Sequence, residues 1–157
     1  MKNIAVFADV QNIYYTTRQV YQRQFNYREF WQRVTSQGNI VAAYAYAIER
    51  NDEKQRQFQT TLKQIGFTIK LKPYIQRSDG SSKGDWDVGI TIDVLEACHD
   101  IDKVILLSGD GDFDLLLRHV HDKYAIDTEV YGVPSLTATS LIQAARNYHP
   151  IDTQLLL

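Results

Sequence analysis

Val104-Ile-Leu-Leu-Ser-Gly-Asp-Gly-Asp-Phe-Asp-Leu-Leu-Leu117 is the stretch that leaves this chain the fewest folds. The unbroken apolar run from Val104 to Leu107 has the pattern of a strand buried on both faces, as inside a parallel sheet. Ser108-Gly109 breaks it, and a helical apolar period opens at Phe113 and continues through Leu116, Leu117 and Val120. Asp110 and Asp112 therefore sit in a turn at the carboxyl end of a strand, the edge where open α/β sheets place their ligands. Capping the following helix needs only one of Asp110, Asp112 and Asp114. Crowded carboxylates repel one another and are costly to dehydrate. The surplus points to a cation, whose other ligands should lie elsewhere in the chain.

The first candidate is close to the N-terminus. Asn3-Ile-Ala-Val-Phe-Ala is a compact apolar run ending at Asp9, with Asn12 three residues on and a helix opening at Ile13-Tyr14-Tyr15. Taken alone, Asp9 reads as a helix N-cap. Its likeness to Asp110, another strand-end Asp leading into a helix, raises the functional reading.

The intervening chain repeats the alternation. Residues 26–37 read as a short helix capped by Asn26 and followed by Gly38, and residues 39–48 as a second buried strand. Asp52 caps a helix running to Ile65 and ended by Gly66, with Phe58, Leu62 and Ile65 inward and Lys54, Arg56 and Lys63 outward. Residues 67–75 alternate with period two, and Pro73, Lys70 and Lys72 suit an edge strand. Residues 77–84 have the composition of a flexible loop. A helix then begins at Asp85 or Trp86, with Val88, Ile92, Leu95 and Cys98 as its buried period and Asp87 in its first turn. Asp93 lies about 600° further round the axis, on a different face from Asp87. A buried hydrogen bond to a strand end and a supporting metal role are equal readings for it. After the central unit, Asp127 to Val133 is a strand, Pro134-Ser135 starts a last helix, and Pro150 to Leu157 is a tail.

Five βα units of this kind imply one α/β domain over residues 1–157, a three-layer sandwich around a mostly parallel, Rossmann-like sheet. No apolar run nears the ~20 residues a membrane span requires, and no signal peptide precedes Met1-Lys-Asn-Ile. Cys98 is the lone cysteine, which excludes a disulfide framework and a thiolate metal site. A cytoplasmic protein is the expectation. His119 and His121 diverge on their helix and cannot share a metal.

The net charge of −2 conceals a strong asymmetry. Residues 50–83 hold 8 basic and 3 acidic residues, whereas residues 84–157 hold 4 and 13. The basic stretch carries Arg50, Lys54, Lys70, Lys72, Arg77 and Lys83. It is either a solvated face or a surface for an anionic polymer beside a carboxylate-rich pocket. In a parallel sheet all strand carboxyl ends share one edge, so Asp9, Asp87 and the Asp110/Asp112 turn can meet. Oxygen ligands without His or Cys suit Mg²⁺ or Mn²⁺, ions that serve phosphodiester hydrolysis. The basic stretch would hold the phosphate backbone, and Tyr74 and Trp86 are candidates for stacking on unpaired bases.

Three motifs in register carry a resemblance: Phe7-Ala-Asp9-Val-Gln-Asn12, Lys83-Gly-Asp-Trp-Asp87-Val with Asp93 following, and Ser108-Gly-Asp110-Gly-Asp112-Phe113. Together they span roughly residues 3–150, and the chain resembles the NYN family of the PIN-like nuclease superfamily, in its bacterial LabA-like branch. The resemblance implies a PIN-like fold and a metal-dependent ribonuclease acting through metal-activated water. Carried over by position, Asp9, Asp87, Asp110 and Asp112 would be the catalytic metal ligands. Asn12 and Ser108 would position ligands or phosphate, and Asp93 would be a supporting acid. One departure stands near the end of the last helix. Where related chains often place an Asp before an aromatic residue, this chain has Arg146-Asn147-Tyr148.

The main alternative is a non-catalytic regulator that binds RNA or protein and retains the acidic pocket. A receiver-like phospho-acceptor domain is weaker, because the Asp110/Asp112 pair does not fit a single acceptor. The oligomeric state is left open, a homodimer being one option.

Overall fold

Apolar runs that alternate with capped helices fold here into six parallel strands and their crossovers. A computed structural model describes residues 1–50, 52–73, 75–76, 82–83 and 85–157, with the backbone alone at 75, 76, 82 and 83. The strands are β1 (Asn3–Asp9), β2 (Asn39–Glu49), β3 (Thr68–Pro73), a short hairpin of β4 (Ile75–Gln76) and β5 (Ser82–Lys83), then β6 (Lys103–Leu107), β7 (Asp127–Gly132) and β8 (Asn147–Pro150). The helices are α1 (Val10–Tyr21), α2 (Tyr27–Thr35), α3 (Glu53–Ile65), α4 (Asp87–Ala97), α5 (Asp114–Tyr124) and α6 (Thr139–Ala144). The main sheet has the order β3-β2-β1-β6-β7-β8 with every pairing parallel. Helices α1, α2 and α3 cover one face around Ile13, Phe30, Val34 and Leu62, and α4, α5 and α6 cover the other around Ile90, Val94, Leu117 and Leu141. Among the described residues no helix is long and apolar enough to cross a membrane.

The order explains where a site can form. The chain winds outward from β1 through β2 to β3, then crosses back to β6 on the other side of β1 and winds outward again through β7 to β8. The crossovers leaving β1 and β6 therefore lie on opposite faces, which opens a crevice at their carboxyl ends. Asp9 ends β1, and Ser108-Gly109-Asp110 follows β6 directly.

Local chemistry sets most boundaries as expected. Asn26 caps α2 by accepting from the Glu29 N–H, and Asp52 caps α3 by accepting from the Lys54 N–H. Gly66 ends α3 at a φ of 140°, a backbone shape that side chains disfavour. Strand β3 is the sheet edge, as Pro73 requires.

Two expectations are corrected. The end of the chain is not a helix followed by a tail. Pro134–Leu136 is a 3₁₀ turn, α6 is only Thr139–Ala144, and residues 147–150 add a sixth strand. The Arg146 N–H bonds the Thr128 hydroxyl, and Tyr148 pairs alongside Val130, so this segment is committed to the sheet. The Arg146-Asn147-Tyr148 departure thus falls on the junction into β8, not on a helix end. The second correction concerns α4, which buries Ile90, Val94 and Cys98 and leaves Val88 70% and Ile92 53% exposed. This helix is apolar nearly all round, so periodicity alone cannot choose its inner face. The proposed flexible loop at residues 77–84 and Tyr74 lie outside the described residues, apart from the β5 backbone.

Candidate metal centre

Three elements deliver one carboxylate each to the crevice. Asp9, at the end of β1, caps α1. Its carboxylate accepts from the Asn12 N–H at 3.4 Å and from the Ser108 hydroxyl at 3.1 Å, and it is 8% exposed. Asp110 follows β6 and caps the 3₁₀ turn Gly111–Phe113 by accepting from the Asp112 N–H at 2.9 Å. Asp87 opens α4 from the β5 side of the fold. Oxygen atoms of Asp9, Asp87 and Asp110 all lie within 4.8 Å of one another.

Asn12 and Ser108 lock this geometry. The Asn12 side-chain oxygen accepts the Gly109 N–H at 2.9 Å, tying α1 to the loop after β6. The Ser108 hydroxyl donates to Asp9 and accepts the Asp110 N–H at 3.1 Å, so one buried oxygen links two of the carboxylate residues. Glycine is needed in that loop for room. A Cβ on Gly109 would stand 2.7 Å from the Leu136 carbonyl oxygen, and one on Gly111 would stand 2.8 Å from the Ala138 Cβ.

Electrostatics sets these three apart. Burial raises the Asp9 carboxyl to about 6, with Asp110 and Asp85 adding repulsion and the Asn12 and Ser108 hydrogen bonds opposing it. Burial is also the first cause for Asp87, raised to about 7. The charges of Asp110 and Asp85, a hydrogen bond shared with Asp110 and the charge of Asp9 add to it. Among the described residues the ion pairs engage Glu29, Glu53, Asp93, Asp127 and Glu129, and none engages Asp9, Asp87 or Asp110. An all-oxygen cluster of three carboxyl groups, without a protein cation among the described residues, fits a hard divalent ion such as Mg²⁺ or Mn²⁺.

The remaining sequence candidates scatter. Asp112 is exposed and stands outside the three-carboxylate group, beside Thr91 and Leu115 on the groove between α4 and α5. Asp93 faces the sheet edge, accepting from the Tyr46 hydroxyl at 2.8 Å and from the Lys70 ammonium at 2.6 Å. Both partners are side chains of neighbouring strands, Tyr46 of β2 and Lys70 of β3. Lys70 is thereby committed, and it lies 4.6 Å from the Tyr44 ring centre. Lys72 donates to the Asp85 carbonyl at 2.9 Å and covers the Trp86 ring at 4.4 Å. Trp86 is itself occupied, donating from its indole N–H to the Ala47 carbonyl and packing on Gly89 and Tyr46. Arg50 and Lys54 are exposed beyond the end of β2 and in the first turn of α3. Arg77 and the Lys83 side chain lie outside the described residues. Sequence reasoning passed over Asp85, whose carboxylate accepts the Asp87 N–H at 3.2 Å and whose charge raises both Asp9 and Asp87. The Asp85-Trp86-Asp87 spacing was the available signal.

The comparisons with known proteins agree with this fold. A model of the NYN domain matches residues 3–152. The Low amplitude and bright protein LabA of Synechococcus elongatus is 28% identical over 156 residues, covering 92% of this chain and 81% of that protein. The crystal structure of a protein of unknown function from Vibrio parahaemolyticus matches with a TM-score of 0.95 at 52% identity, covering 99% of this chain and 96% of the other. With that match over nearly its whole length and three carboxylates gathered at the sheet crevice, the chain belongs to the NYN domain family, a PIN-like nuclease family.

Proposed function

We propose that this protein is a Mg²⁺- or Mn²⁺-dependent ribonuclease that hydrolyses RNA phosphodiester bonds. The observation that carries the reading is the meeting of Asp9, Asp87 and Asp110 within 4.8 Å, without a protein cation among the described residues to balance them. Family membership supports the nuclease class. A divalent ion held there supplies activation of water and neutralisation of the phosphate charge.

The chain's own groups do the rest. Asp9, Asp87 and Asp110 would hold the ion as carboxylates, and the raised proton affinities of Asp9 and Asp87 would make loading stronger as pH rises through about 6 to 7. Ser108 and Asn12 fix two of the three in place through the bonds already described. No histidine belongs to the cluster, so within it only the carboxylates could accept a proton from water.

The test is incubation of labelled single-stranded and hairpin RNAs with Mn²⁺, Mg²⁺ or EDTA, comparing wild type with Asp110→Asn. Products that need a metal and Asp110 support the reading. RNA left intact by the wild type throughout, yet bound by it, favours the non-catalytic alternative.

A further inference from the structure

The bases of an RNA strand need a surface beside the carboxylates. Of the two aromatics expected there, Tyr74 lies outside the described residues, and Trp86 is half-buried and already packed against Lys72, Gly89 and Tyr46. Helix α1 offers another pair. It starts at Asp9, and its buried residues are Val10, Ile13 and Thr17, so the fold makes no use of the aromatic character of Tyr14 and Tyr15. Both stand in solvent, 46% and 49% exposed.

They are nevertheless held in a defined arrangement. The rings meet edge to face with centres 5.5 Å apart. The Arg18 guanidinium donates to the Tyr14 hydroxyl at 2.7 Å and lies 5.8 Å from the centre of that ring. Tyr15 is three residues beyond Asn12 on the helix, hence on the same side and about 4.5 Å further along the axis. Asn12 is the residue that binds the loop of Asp110. Tyr14 is turned to another side of the helix and joins this surface through its edge-to-face contact with Tyr15. An ordered aromatic pair with an attached cation, one helical turn beyond Asn12 at Tyr15, has the composition of a single-strand stacking surface.

We infer that Tyr14 and Tyr15, braced by Arg18, form a stacking platform for unpaired bases of an RNA strand whose phosphate lies at the Asp9–Asp87–Asp110 centre. The inference rests on the ribonuclease reading and adds to it the residues that would engage unpaired bases next to the site of cleavage. Stacking recognises the faces of bases, so the platform is tolerant of sequence and intolerant of duplex.

The experiment measures binding in EDTA, which keeps the substrate intact, by anisotropy of end-labelled RNA. The ligands are a single strand, its duplex and a strand of the same length with abasic ribose phosphates. Tyr14→Ala and Tyr15→Ala are each expected to weaken the base-bearing single strand about tenfold and to leave the abasic strand and the duplex unchanged. Tyr14→Phe and Tyr15→Phe keep the rings and should bind within about twofold of wild type. Alanine variants that bind the single strand like wild type, or lose as much on the abasic strand, overturn the platform. If the wild type cleaves RNA while the tyrosines are silent, the platform alone falls. If it neither binds nor cleaves any RNA, the ribonuclease reading falls and the platform with it.

Discussion

Two clusters of charged side chains in this fold solve the same electrostatic problem in opposite ways. Glu129, in the middle of β7, is 3% exposed and is met by the Lys103 ammonium and by His149 at 2.8 Å. The centre at the carboxyl ends of β1 and β6 packs Asp9, Asp87 and Asp110 together with no cation of its own among the described residues. A buried carboxylate with a matched partner needs nothing further and serves the fold. A group of carboxylates with Asp9 buried and Asp87 and Asp110 half-buried, and no such partner, is stabilised when protons or an external cation balance it. The contrast separates a structural acid from a ligand acid without reference to family. Asp93, held by Lys70 and Tyr46, resembles Glu129 in having a protein partner.

The sharpest way to break this comparison is to remove one carboxylate from each cluster. Asp110→Asn should lower metal-dependent cleavage on the order of a thousandfold, several kcal/mol of transition-state stabilisation. Glu129→Gln should leave cleavage by the folded protein within about twofold. Equal losses in both variants would erase the distinction. On stability the ranking reverses. Glu129→Gln strands the Lys103 charge in a position 13% exposed and should cost about 3 kcal/mol in urea denaturation. Asp110→Asn relieves repulsion and should raise the melting temperature of the metal-free protein by about 3 °C.

Next in size is the pH dependence. Asp9 and Asp87 hold their protons more tightly folded than unfolded, at about 6 and about 7 against a usual value of 3.8. Between pH 4 and 7 the folded chain therefore binds more protons than the unfolded one. Their contribution to stability is complete below pH 4 and is lost as pH rises to 7. Melting of the metal-free protein across that range should show the fall, and Asp9→Asn should flatten it. A saturating divalent ion should reverse the slope, since it binds the deprotonated carboxylates. The smallest effect belongs to Asp93→Asn, which keeps the Tyr46 hydrogen bond and weakens a half-exposed pair with Lys70. A loss of about 1 kcal/mol is expected in denaturation, with metal affinity unchanged.

The legible parts of this fold were those with a local signature. Apolar runs ending in Asp marked β1 and β6, and cap residues with Gly66 fixed α2 and α3, because each signal is written in a few adjacent residues. What failed depends on partners far along the chain. Strand β8 is four residues long and half-buried, and only its pairing with β7 makes it a strand. Helix α4 is apolar on most sides, so its inner face was set by the layers around it. The site was legible to the level of which turns would meet. Spacing could not tell Asp110, whose carboxylate lies with those of Asp9 and Asp87, from Asp112, whose main-chain N–H that carboxylate caps. Asp85 was missed because its influence acts through space on Asp9 and Asp87.

The most direct measurement of the central claim is calorimetric titration of Mn²⁺ into metal-free wild type, Asp110→Asn and Glu129→Gln at pH 7.5 and pH 5.5. The account predicts saturable binding by wild type and Glu129→Gln that weakens at pH 5.5, and its loss in Asp110→Asn. Binding by Asp110→Asn equal to wild type, or no binding by wild type at either pH, would contradict it.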